Sequence, residues 1–207
     1  MKASLQLMPR FTYAHETADQ LLLDMNIDSL PINPDAVLKD IGCKIYTYRE
    51  FAHRHHITIR DTIDYLGSAD GCTFYRPRTG QYIIFVNDVD PSTKRIRWTM
   101  THELSHIILR HLENNTAKDI ENAHPFARLS IEREADACAS ELLGPNAVLY
   151  RIGCTTAEVI SKTCDISYQA AANKERFFSR CRGYQYNRTE LRLLSQFSDY
   201  MNKNVIA

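Results

Sequence analysis

His102-Glu103-Leu104-Ser105-His106 sets the strongest constraint on how this chain can fold. The surrounding stretch, Ser92 to His111, reads as one helix. A helix advances about 100° per residue, so residues i and i+4 stand one above the other on a single face. His102 and His106 can then aim two imidazoles at one ion. Glu103 is offset, within reach of a water on that ion but poorly placed to become a third ligand. Two neutral nitrogen ligands, one general base and an open coordination position are what a zinc hydrolase needs. Ile96, Met100, Leu104, Ile107, Ile108 and Leu112 form an apolar arc that packs one side of the helix. The two histidines lie outside the arc, beside Trp98 and Leu109, as ligands at the wall of a cleft would.

A zinc held by two histidines needs a third protein ligand. Ile131 to Leu143 is rich in helix formers, and Gly144-Pro145 is a stop signal. Within it, Glu132 and Asp136 are spaced i,i+4 and share a face. One carboxylate can bind the metal while the other accepts a hydrogen bond from the far nitrogen of a ligand histidine, fixing its tautomer. Ala135 and Ala139 are small enough to let this helix approach the first. Glu132 is the expected ligand because it alone pairs with Asp136 at helical spacing. Glu134 is the alternative ligand, and a solvated acidic face is the alternative use of the whole run.

Arg97-Trp98-Thr99-Met100-Thr101-His102-Glu103-Leu104-Ser105-His106-Ile107-Ile108-Leu109, followed by Glu132-x-x-Ala135-Asp136-x-x-Ala139-x-x-Leu142-Leu143-x-Pro145, resembles the ImmA/IrrE family of zinc metallo-endopeptidases. Leu30-Pro31-Ile32-Asn33-Pro34, Ile83-Ile84-Phe85-Val86-Asn87 and Ile166-Ser167-Tyr168-Gln169-Ala170-Ala171 resemble further family segments, so the likeness covers about residues 30 to 182. Ser105 stands where the family more often has Gly, and Cys138 where it more often has Phe; both are small or apolar. The resemblance implies an α+β fold: a mainly helical, zincin-like domain with a small β-sheet beside the metal-site helix. It also implies a gluzincin-like peptidase in the cytoplasm, often carried by mobile genetic elements, that cuts a helix-turn-helix repressor.

The expected roles follow. His102, His106 and Glu132 bind Zn2+, and Glu103 is the catalytic base. The expected partner is a protein substrate, with no membrane and no direct nucleic acid. A non-catalytic zinc-containing regulator that docks to a transcription factor is the alternative, and an intact Glu103 counts against it. The donor that stabilises the oxyanion is not legible among 11 tyrosines.

Composition fits this setting. The 207 residues suffice for a real core, and are expected to divide into a metallopeptidase core over 1–150 and a C-terminal helical extension over 151–207 packed on it. Net charge is zero, so no global field draws the chain to nucleic acid. No run approaches the length of a signal peptide or membrane span. Six scattered cysteines without a C-x-x-C read as reduced thiols.

Elsewhere, helices are expected at about 16–25, 33–42, 156–163, 167–179 and 189–202, and strands at 44–49, 71–75 and 82–86. Asp90-Pro91-Ser92 is the expected start of the metal-site helix. Tyr82 to Val86 leads toward that helix, and reads either as the strand bordering the cleft with an edge open to an extended substrate or as a fully covered central strand. His53, His55 and His56 read as a solvated loop patch. Thr155 to Phe178 has a helix-turn-helix outline, but without a basic second helix it is expected to pack rather than read DNA.

Overall fold

Thr47 ends a strand and starts a helix. Its hydroxyl accepts from the Glu50 backbone N–H at 3.1 Å, and the Glu50 carboxylate accepts from Thr47 N–H at 2.8 Å. Such a reciprocal cap satisfies two otherwise unpaired donors. It therefore stops strand β1 at Lys44–Thr47 and begins helix α3 at Tyr48–His55. The strand expected to run on to Arg49 is shorter for this reason, and the histidine patch lies at the end of α3 rather than in a loop. The computed structural model describes residues 8–89, 92–114, 125–181 and 183–205. Asp90 and Pro91 of the expected helix start lie outside them.

The order of elements is α1 (Phe11–Asp24), α2 (Pro34–Asp40), β1, α3, α4 (Ile59–Leu66), β2 (Gly71–Arg76), β3 (Gln81–Val86), α5 (Thr93–Ile108), α6 (His111–Asn114), α7 (Pro125–Leu143), α8 (Asn146–Arg151), α9 (Ala157–Cys164), α10 (Tyr168–Phe178), α11 (Arg188–Gln196) and α12 (Ser198–Asn204). The fold is α+β: mainly helical, with one small mixed sheet. The contacts divide the chain into two compact units, and α7 contributes residues to both.

The first unit holds the sheet, with strand order β1-β3-β2. β1 pairs parallel to β3, with Ile45 opposite Ile84, and β2 pairs antiparallel, with Thr73 opposite Ile84. β3 is thus central, and both of its edges are already paired. Of the two readings of Tyr82 to Val86, the open edge fails and the covered central strand holds. Neighbouring strands in sequence are not a guide here, because the α3–α4 crossover brings β1 to the far side of β3. The outer strand beside the metal-site helix is β2, and among the described residues no strand lies beyond it.

Side chains alternate across the pleat. Ile84 and Val86 are buried on the face that carries α5, while Phe85 meets Phe51 of α3 on the other, ring centroids 5.3 Å apart. At Gly71 the helix and strand come so close that a Cβ would stand 2.6 Å from Thr99 Cγ2 and 2.9 Å from the Phe85 carbonyl oxygen. α5 is buried on more than its apolar arc: Thr101, Ser105 and His106 join Met100, Leu104 and Ile107 below the surface.

The second unit comprises Phe11–Ile32 and Ala137–Ala207. α1 packs on α11, whose Leu193 is fully buried together with Phe197, and Gln196 donates to the carbonyls of Leu22 and Ile27. α8, absent from the sequence reading, begins where Glu141 accepts from Asn146 N–H at 2.6 Å. The expected last helix is two helices, α11 and α12, which meet at Phe197. α9 and α10 pack on one another with a left-handed Asp165 between them. No helix among the described residues is long and apolar enough to cross a membrane. None of the six cysteines is in a disulfide, and four are buried.

Candidate metal centre

Helix α5 starts at Ser92, whose hydroxyl accepts from Arg95 N–H, and the Arg95 guanidinium grips Asp70 through two bonds of 3.0 and 2.6 Å. From that start the helical repeat brings His102 and His106 to one face. Their Nε2 atoms lie 3.0 Å apart. Glu132 on α7 reaches the same point, its Oε2 lying 3.3 Å from His102 Nε2 and 3.7 Å from His106 Nε2. Two imidazole nitrogens and one carboxylate oxygen converge within 4.8 Å, the one such group among the described residues. Nitrogen and oxygen donors at this spacing suit a zinc ion with a position to spare.

Asp136, one turn beyond Glu132, takes the other side of His102, with Oδ1 3.0 Å from Nδ1. Burial opposes a charge on this imidazole, yet Asp136 and Glu132 outweigh it and hold the pKa of His102 up at about 10. The two imidazoles beside it, His102 first and then His106, keep the Glu132 carboxyl well below the usual carboxylate range. The site is thus electrostatically primed for a cation: an ionised carboxylate faces imidazole nitrogens that a metal can claim from a proton.

Glu134 is two positions from Glu132 and therefore faces away from it. It is buried, and binds Arg10 rather than the histidine pair: its Oε1 accepts from Arg10 N–H at 2.9 Å and Nε at 3.0 Å, and its Oε2 from Nη2 at 2.8 Å. His111 Nε2 stands 3.2 Å from the same Oε2, and His111 Nδ1 stands 3.0 Å from His106 Nδ1. The metal-site helix does not continue to His111, as its sequence suggests. Instead Arg110 adopts a left-handed φ of 56°, the helix ends, and His111 turns back against His106.

Glu103 is buried, and its Oε2 accepts from Thr73 Oγ1 at 2.6 Å. Thr73 was also missed. A threonine in a strand carries no signal of its own, and only the pairing of β2 with β3 under α5 brings it to Glu103. Next to it, burial and then the Glu103 charge push the Cys72 thiol up to about 12, so this wall carries a thiol and not a thiolate.

His102, His106, Glu103, Glu132 and Asp136 open on one cleft of about 480 Å3, a size usual for ligand sites, lined on one side by Gly71, Cys72 and Thr73 and on the other by Arg128 and Ile131. Trp98 lines it too, while Leu109, expected beside the histidines, is core. No tyrosine is among the lining residues, and Arg128 is the arginine among them. His53, His55 and His56 join no metal-ligating group.

A helix carrying His-Glu-x-x-His, completed by a glutamate from a second helix, defines a metallopeptidase of the two-histidine, one-glutamate kind. Residues 52–174 match the family model described as the IrrE N-terminal-like domain, peptidase M78. The match covers more than half of the chain, which belongs to this metalloprotease family. A comparison with curated proteins gave no match.

Proposed function

We propose that this chain is a zinc-dependent endopeptidase of narrow specificity, acting in the cytoplasm on a helix-turn-helix repressor. His102, His106 and Glu132 hold the metal, and Glu103 is the general base. One observation carries this reading: the three donor atoms converge within 4.8 Å in the same cleft where Thr73 holds Glu103. Family membership makes a peptide bond the natural substrate.

Bound zinc would supply Lewis acidity, polarising a carbonyl and acidifying water. The chain's own residues do the rest. Glu103 accepts a proton on its carboxylate from the attacking water, and returns it to the departing amine. Thr73 keeps one Glu103 oxygen occupied, which leaves the other to face the reacting atoms. Arg128, one turn before Glu132 and exposed to the cleft, is the cation positioned to steady a developing oxyanion. The outer edge of β2 gives an extended substrate backbone a place to hydrogen-bond without strict sequence demands.

A cleft that recognises backbone would endanger every unfolded protein nearby. Selectivity therefore comes from docking surfaces outside it, which raise the local concentration of one scissile segment. Purified zinc-loaded protein should cleave its cognate repressor and leave casein nearly intact. Efficient cleavage of casein with the repressor untouched would make this a general peptidase. Cleavage of neither would leave a regulator that docks without cutting.

A further inference from the structure

The two histidines are supported in different ways. His102 meets a carboxylate directly, whereas His106 meets a third histidine. We propose that His111 is a positioning residue for the metal centre: it fixes His106 in the one tautomer that leaves Nε2 free for a metal, and it is itself fixed by Glu134 and Arg10. The proposal rests on the zinc reading above and assigns a role to residues outside the ligand set.

The direction of every hydrogen bond in the chain follows from its ends. Arg10 donates three times to Glu134, so Glu134 is an acceptor throughout. Facing Glu134 Oε2, His111 Nε2 must carry the proton. A neutral imidazole with its proton on Nε2 has a bare Nδ1, and that atom faces His106 Nδ1 at 3.0 Å. His106 therefore donates from Nδ1 and keeps its lone pair on Nε2, the atom it offers to the ligating group with His102 and Glu132. The reverse tautomer would set two N–H groups, or two lone pairs, against each other at one of the contacts.

Burial makes the choice binding. His111 and Glu134 are each about 3% exposed, so no water is at hand to satisfy a misplaced proton. The geometry also explains why Glu134 is so close to the site without joining it. Its carboxylate acts on the metal centre at one remove, through an imidazole, as a carboxylate acts directly on many metal-bound histidines. Arg10 extends the support to a segment far from α5 in sequence.

Two variants separate this role from simple packing. In His111→Asn the side-chain oxygen falls near the place of Nδ1, and can still accept from His106. In His111→Gln the amide falls near the place of Nε2, where it can still meet Glu134 but not His106. Zinc affinity, measured by chelator competition, should stay within about 3-fold of wild type in His111→Asn. It should fall about 10- to 100-fold in His111→Gln, the usual cost of losing such support. The visible spectrum of the cobalt-substituted protein should be altered in the second variant only. A packing role predicts the opposite order, since Gln is closer to His in size. Equal, wild-type zinc affinity in both variants would overturn the proposal. If the wild type bound no metal, the zinc reading would fail by itself. The imidazole 15N shifts of His106 would then decide, expected to show the Nδ1–H tautomer in wild type and His111→Asn and a mixture in His111→Gln.

Discussion

Thr73 on strand β2 donates a 2.6 Å hydrogen bond to Glu103 on helix α5, so the sheet directly orients the proposed base. A hydrogen bond to a charged acceptor is worth about 1.5–3 kcal/mol. Thr73→Val keeps the shape and removes the donor. It should lower kcat about ten-fold or more while zinc stays stoichiometric, and Thr73→Ser should restore most of the rate. Unchanged kcat in Thr73→Val would mean that Glu103 is oriented by something else.

Metal binding and chemistry should separate cleanly along the chain. Glu103→Gln is expected to keep bound zinc and lose cleavage by about 10²- to 10⁴-fold, because the amide preserves shape and cannot take a proton. Glu132→Ala should lose the metal itself, as measured by metal content after dialysis. Glu134→Ala should bind more weakly but still measurably. If Glu134→Ala lost all zinc and Glu132→Ala none, the third ligand would be Glu134.

Both ends of the candidate metal site were legible because each obeys helical periodicity. His102 and His106, and Glu132 and Asp136, are i,i+4 pairs that define faces without reference to anything else. What the sequence could not show depends on departures from regularity or on pairing across the fold. His111 matters because Arg110 breaks the helix, and a left-handed arginine has no sequence mark. Thr73 and Arg10 reach the site only through strand pairing and long-range packing. The same blindness left the open strand undecided: β3 lies next to α5 in sequence, but β1 and β2 flank it, and β2 is left at the edge. Leu193 and Phe197 are fully buried and Gln196 ties α11 to the chain around Leu22 and Ile27, so cutting away the last two helices would unfold the second unit. Substitutions at exposed positions such as Leu191 are the better probe of docking.

Gly71 offers a test of how closely β2 must approach α5. The obstacles to a Cβ there are Thr99 Cγ2 at 2.6 Å and the Phe85 carbonyl oxygen at 2.9 Å, the second of which cannot rotate away. Gly71→Ala should cost about 1–3 kcal/mol, the usual range for overpacking. The strand would have to move from the helix, so the Thr73–Glu103 bond should lengthen and kcat should drop. A thermal melt and a rate measurement on one preparation check both. Full stability with reduced kcat would show that the strand shifts without strain, and full stability with full kcat would refute the tight contact.

Asp19 makes stability in the second unit depend on pH. It is 2% exposed, and its Oδ1 has no hydrogen-bond partner. Burial, then the charges of Glu141, Glu190 and Glu16, push its pKa up from 3.8 to about 9, with Lys174 pulling the other way. In that interval the folded protein holds a proton that the unfolded chain releases. Linkage then requires this contribution to be fully present below pH 3.8 and to fade as pH rises toward 9. The slope is at most about 1.4 kcal/mol per pH unit. Asp19→Asn has the same size and no proton to lose, so its stability should match wild type near pH 4 and exceed it near pH 8. His15, 3.9 Å from Glu141, is present in both proteins and cancels from the comparison. Urea midpoints at several pH values for the two proteins provide the test. Diverging curves, with Asp19→Asn the flatter, are the expected result, and parallel curves would show that Asp19 is ionised in the folded protein and compensated by Lys174.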